Sequence, residues 1–158
     1  MTNSREKGHA FERTICKVIG EWISEHVGDE ITLRRNLAQY QTSSLGDIEH
    51  PPFLFECKRY AKGNWHRQEW WDQVCRAADQ KLIPVLVYRY DRQETKFVFP
   101  LWAISNHSKI DHITVTASEE DARHIILGIL DDPKGSSKRF ATSVSPEELE
   151  RDAAYYRF

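Results

Sequence analysis

The chain has 158 residues and a formal net charge of −2, with 40% hydrophobic and 29% charged residues and only 7 Gly and 6 Pro. This composition excludes collagen-like, low-complexity and wholly disordered classes, and the length fits the roughly 100–200 residues of one domain. No apolar run approaches the ~18 residues of a membrane span, and the N-terminal MTNSREKGHAFE lacks the apolar core of a secretory leader. Cys16, Cys57 and Cys75 are odd in number and contain no C-x-x-C pair. They read as reduced thiols, which places the expected location in the cytoplasm, with no membrane partner.

The first periodic segment runs from about Ser4 to Val27, where Phe11, Ile15, Val18, Ile19, Trp22 and Ile23 follow helical spacing and Gly28-Asp29 stops the helix. Glu30–Gln41 is expected as a strand, closed by residues 42–46. A short element opens at Asp47-Ile48, His50-Pro51-Pro52 turns the chain, and Phe53–Tyr60 (FLFECKRY) is a predicted strand. Helical spacing returns over Arg67–Lys81, with Trp70, Trp71, Val74, Cys75 and Ala78 on one stripe. The β-branched run from Ile83 to Tyr88 predicts a buried strand, Phe97–Trp102 another, and Ile113–Thr116 a shorter one. Ser118 with Asp121 signals the start of a helix through about Leu130. A last short helix is expected at Ser145-Pro146-Glu147-Glu148. The expected organisation is one mixed α/β domain over residues 1–130, with a C-terminal tail over 131–158 that carries this helix.

Nucleotide cradles and hydrolase elbows have no support, because G-x-x-x-x-G-K-[ST], G-x-G-x-x-G and G-x-S-x-G are all missing; no nucleotide cofactor is expected. The seven histidines show no metal-ligand clustering, so a bound metal would be held through oxygen. The informative stretch is GDIEHPPFLFECK, residues 46–58. Alternation on the strand puts Leu54, Glu56 and Lys58 on one face and Phe53, Phe55 and Cys57 on the other. Asp47, across the Pro-Pro turn, can come alongside Glu56. Two converging carboxylates suit a hard divalent cation such as Mg²⁺, with the Cys57 carbonyl as a third oxygen ligand. Lys58, two residues beyond the acid, can then hold the attacking water and offset charge on a phosphate.

The bare D…E-x-K pattern arises by chance roughly 0.6 times in a chain of this length and average composition, so its surroundings must carry the assignment. Glu56 and Lys58 sit in a strand of large apolar residues. Glu12, in G-H-A-F-E, lies at the margin of the first helix's apolar stripe. Gln73, on the helix after the strand, can orient water or substrate. The stretch Lys58–Gln68 holds Lys58, Arg59, Lys62 and Arg67 with no acid, interleaved with Tyr60 and Trp65. Such a patch attracts phosphates even on a near-neutral protein. Trp65 is placed to stack on a base, whereas Trp22, Trp70 and Trp71 fit packing.

GHAFE, LGD, FLFECKRY and WDQVCRAADQKLIPVLVYR together resemble the PD-(D/E)XK nuclease superfamily, and within it the small archaeal and phage Holliday junction resolvases. The likeness covers about residues 5–90, and its first motif carries Gly46-Asp47 where the superfamily's name has Pro-Asp. It implies a restriction-endonuclease-like mixed central β-sheet flanked by α-helices. It further implies a homodimeric Mg²⁺-dependent endonuclease, with Mn²⁺ as a substitute, acting on branched DNA such as four-way junctions in a phage-infected host. By the same resemblance Asp47 and Glu56 bind the metal and Lys58 assists the water. Glu12 holds water or a second ion, and Arg34, Arg35, Arg59, Lys62 and Arg67 contact phosphates. A nuclease for duplex or flap DNA, a restriction-like enzyme, and a catalytically silent binding module of the same fold are the alternatives.

Overall fold

The computed structural model describes residues 3–37, 45–105 and 113–132. Helix α1 spans Ser4–Val27; Asn3 caps it by accepting from the Arg5 amide, and Gly28 ends it in the left-handed conformation at φ 78°. Phe11, Ile15, Ile19 and Ile23 recur every four residues and form its buried stripe, with Glu12 and Cys16 buried beside them. No described helix is long and apolar enough to cross a membrane.

The described residues form one five-stranded sheet in the order β1-β2-β3-β4-β5, with β1 at Ile48–His50, β2 at Phe53–Tyr60, β3 at Ile83–Tyr90, β4 at Lys96–Pro100 and β5 at Thr114–Ser118. Only β2 and β3 pair in parallel, because helix α2 (Gln68–Ala78) crosses between them; the other neighbours are antiparallel. This is the mixed α/β sheet with flanking helices that the sequence predicts.

Each face of the sheet has its own core. Phe53, Phe55, Cys57, Val85, Val87, Phe97 and Phe99 pack with α1 and with α4 (Glu119–Asp131). Leu86, Tyr88 and Val98 pack with Trp70, Trp71 and Val74 of α2. Leu86 and Tyr88 are the register partners of Glu56 and Lys58. Glu56 and Lys58 therefore emerge on the α2 face, while Cys57 points into the α1 core, as the period of two requires. Ser118 caps α4 by accepting from the Asp121 amide, as predicted from the Ser118/Asp121 spacing.

Three expectations need correction. Of the strand expected over Glu30–Gln41, residues 30–37 form none, their one ladder contact being the bridge from Arg35 to Ile48, and residues 38–41 lie outside the described residues. A three-residue β1 offers too short an edge, and the segment instead packs on α1, where the Ile31 amide donates to Ser24 Oγ at 2.8 Å. The strand expected over Phe97–Trp102 ends at Pro100, which caps the short helix α3 (Leu101–Ile104). The strand expected at Ile113–Thr116 runs instead from Thr114 to Ser118 as β5. The C-terminal helix expected at Ser145 lies outside the described residues.

Candidate active site

Asp47 reaches the site through the β1–β2 hairpin. Its amide donates to Phe55 O at 3.0 Å, and its Oδ2 accepts from the Cys57 amide at 2.7 Å. These two bonds bracket Glu56, so the carboxylates of Asp47 and Glu56 are held beside the same stretch of β2. Both are nearly excluded from solvent, at 5% and 4% relative exposure. Gly46 allows the close approach, since a Cβ there would sit 2.6 Å from Leu54 Cδ1.

Glu56 Oε1 takes two charge-assisted contacts. Lys58 Nζ lies 3.0 Å away and Gln73 Nε2 donates to it at 2.9 Å. Gln73 Oε1 in turn accepts from Lys58 Nζ at 2.9 Å, closing a triangle between β2 and α2. Glu56 Oε2 is buried with no hydrogen-bond partner. Such an orphan oxygen is costly unless something electropositive meets it.

The electrostatics point the same way. Burial and the charge of Glu56 push the Asp47 carboxyl up to about 7, against the pull of the Cys57 amide and of Lys58. Burial raises Glu56 as well, opposed by Lys58. Two buried carboxylates that resist ionising together, one with an unpartnered oxygen, form a donor set that a divalent cation satisfies. Among the described residues, no three His, Cys, Asp or Glu side chains converge closely enough to hold a metal by themselves. A cation here would complete its shell with backbone carbonyls and water.

Glu12 arrives from α1, buried at 8% exposure, and its Oε2 accepts from Arg35 Nε. Arg35 is delivered by the bridge to Ile48, and the neighbouring Asn36 amide donates to Asp47 O at 2.6 Å. The sequence places Glu12 at the site, but its pairing with Arg35 carries no sequence signal. Cys16 and Cys57 are buried free thiols. Burial pushes Cys16 up to about 11 and Cys57 well above its usual value, so neither offers a thiolate nucleophile at neutral pH.

The basic loop after β2 leaves Lys62, Trp65 and Arg67 exposed, and Arg34 is exposed on the α1 side. Arg59 is engaged: it donates to Tyr90 O at 2.9 Å and pairs with Asp91 at 2.7 Å. Trp65 is held by its backbone, as Tyr90 Oη donates to Trp65 O at 2.5 Å, and Lys96 lies 5.4 Å from its ring centroid. Arg67 lies over Tyr60 and Trp70, which stack at 4.9 Å. Tyr90, Lys96 and Gln93, whose amide donates to Gly63 O at 2.6 Å, were not marked by the sequence, because they come from β3, β4 and their turn. Trp70 and Trp71 are core residues, as expected from their spacing.

No curated protein and no solved structure matches the chain. The model of the family described as "Phage putative PDDEXK endonuclease" matches residues 3–139, a span that takes in every element from α1 to α4 and all of the residues assembled above. The resemblance carried by GHAFE, LGD and FECK is thereby borne out at the level of the superfamily, and the chain belongs to that family.

Proposed function

We propose that this protein is a Mg²⁺-dependent DNA endonuclease that hydrolyses phosphodiester bonds in branched DNA, four-way junctions foremost, as a homodimer. The arrangement at Glu56 carries the hydrolytic reading. One carboxylate oxygen is fixed by Lys58 and Gln73, while the other is buried and unpartnered next to a second buried acid. Asp47, Glu56 and the Cys57 carbonyl are the oxygen ligands for the cation. When bound, Mg²⁺ supplies Lewis-acid polarisation of the phosphate and lowers the pKa of water.

The remaining roles belong to side chains. Lys58 spends two N–H groups on Glu56 and Gln73 and has a third for the attacking water or a phosphate oxygen. Gln73 keeps Glu56 and Lys58 in register across the β2–α2 interface. Water adds to phosphorus and a P–O bond to the sugar breaks, leaving a phosphomonoester and a hydroxyl. Arg34, Lys62 and Arg67 contact backbone phosphates, with Arg35 and Arg59 adding to the field from within their ion pairs. Trp65 offers its ring to a base. Branched DNA rests on the likeness to the small resolvases, and a two-fold dimer suits a two-fold junction.

The test is cleavage of an end-labelled four-way junction beside a linear duplex of the same arms, with Mg²⁺, with EDTA, and with Lys58→Ala. Paired Mg²⁺-dependent cuts on the junction alone, lost in Lys58→Ala, are expected. Equal cutting of the duplex would replace the substrate assignment. Tight junction binding without cutting under any condition would make the chain a silent binding module.

A further inference from the structure

The Glu12–Arg35 pair bears on how many metal ions the site accepts, and the argument rests on the metal-dependent reading given above. Both side chains are largely buried, at 10% and 15% side-chain exposure, and Glu12 is close enough to Asp47 and Glu56 for its charge to act on both. Arg35 is built in from both sides. Its backbone bridges to Ile48 next to Asp47, the following amide donates to Asp47 O, and its guanidinium takes Glu12 Oε2. Among the described residues Glu12 does not join Asp47 and Glu56 in any metal-holding group of three. A helix-borne acid that would otherwise recruit a cation already has one, supplied by the chain itself.

The charges agree. With all groups ionised, the carboxylates of Glu12, Asp47 and Glu56 face the cations of Arg35 and Lys58, so the site carries one surplus negative charge. One divalent ion turns this into one surplus positive charge, which the single negative charge of a phosphodiester cancels. A second divalent ion would leave two positive charges uncompensated with the phosphodiester bound and three without it, in a place largely closed to solvent, and Arg35 supplies one of them. A buried charge without a partner is strongly disfavoured, which opposes entry of the second ion. We infer that Arg35 occupies the position of a second cation, holding Glu12 out of the metal shell and restricting the site to one divalent ion bound by Asp47 and Glu56.

Mn²⁺ binding to the full chain without DNA tests this, counted by calorimetry and by loss of the free-ion electron paramagnetic resonance signal. The wild type is expected to bind one ion per chain, and Arg35→Met, which retains the apolar stem but frees Glu12, is expected to bind two. Because Arg35→Met leaves a buried carboxylate unpaired, the charge-neutral double variant Glu12→Gln/Arg35→Gln serves as the second arm. It removes both charges together and is expected to keep one ion with affinity within about threefold of wild type, whereas removing even a partner that orients a metal ligand would cost about 10–100-fold. Two ions in the wild type, one ion in a folded Arg35→Met, or loss of the ion in the double variant would each overturn the inference. A wild type that binds no ion would instead overturn the metal-site reading on which it rests, and this inference with it.

Discussion

Asp47 and Cys57 are ten residues apart in the chain, and one hydrogen bond joins them: Asp47 Oδ2 accepts from the Cys57 amide at 2.7 Å. The bond ties a buried acid to the backbone of the strand that carries the second acid, so the spacing between carboxylates is set by β-sheet geometry and not by flexible side chains. The same rigidity keeps two like charges together in a poorly solvated place. The apoprotein carries that repulsion as a cost.

Replacing Asp47 should therefore stabilise the metal-free protein while abolishing cleavage. The folded-state carboxyl titrates near 7 against an ordinary value of 3.8, so the folded protein binds the extra proton and loses stability as pH rises between those values. Asp47→Asn removes the charge, and its amide oxygen can still accept from Cys57. At pH 8 without metal its melting temperature should exceed that of wild type by about 2–4 °C for each kcal/mol relieved, on the order of 1 kcal/mol or more. The gap should shrink toward pH 4 and close when Mg²⁺ stabilises the wild type alone. Thermal melts across this pH range decide it.

Gln73 touches Glu56 and Lys58 from a different element, and in the proposed site it acts as a positioning residue. Gln73→Leu should lower kcat by about 10–100-fold, the usual cost of removing a partner that orients a metal-site ligand. KM for DNA should stay unchanged, because Gln73 is not part of the basic loop. A parallel rise in KM in steady-state kinetics would reassign it to substrate binding.

Trp65 is 53% exposed, so its ring contributes little to folding. Trp65→Ala should leave the melting temperature unchanged and weaken junction binding by about 1–3 kcal/mol, the range of one base–aromatic stack. Trp65→Phe should recover part of the loss. Fluorescence anisotropy in the non-cleaving Lys58→Ala background measures this directly, and unchanged affinity would remove Trp65 from the interface.

Gly63 lies against the ring of Tyr90, whose hydroxyl holds the backbone of that tryptophan. Its φ is 150°, and a Cβ there would lie 2.3 Å from the Tyr90 ring. Gly63→Ala should cost about 1–3 kcal/mol of stability from backbone strain and the displaced ring. It should also weaken DNA binding, since Tyr90 Oη holds Trp65 O. Chemical denaturation and the same anisotropy assay report the two effects separately.

Lys62 is exposed on the loop after β2, and the role proposed for it is that of a charge. Lys62→Ala should weaken DNA binding alike for junction and duplex and flatten the dependence of log K on log salt by about one unit. Loss of affinity on junctions alone would give Lys62 a part in recognising the branch.

The sequence alone determined the parts of this protein that depend on short-range periodicity. Phe11, Ile15, Ile19 and Ile23 recur at the pitch of a helix, and α1 follows. Glu56 and Lys58 differ by two positions, and strand alternation puts them on one face whatever the strand pairs with. Ser118 and Asp121 stand at capping distance, and α4 starts there. Residues 30–37 misled because a β-like composition yields a strand only where a neighbour offers backbone groups to pair with, and the short β1 offers one bridge. Only the tertiary structure brought Glu12 to Arg35, Glu56 to Gln73 and Trp65 to Lys96 and Tyr90. Each of these contacts joins segments far apart in the chain, and its distance is set by how helices, strands and the loops between them pack. Local spacing made the Asp47…Glu56-x-Lys58 motif readable; which charges neutralise one another at that motif was decided by packing.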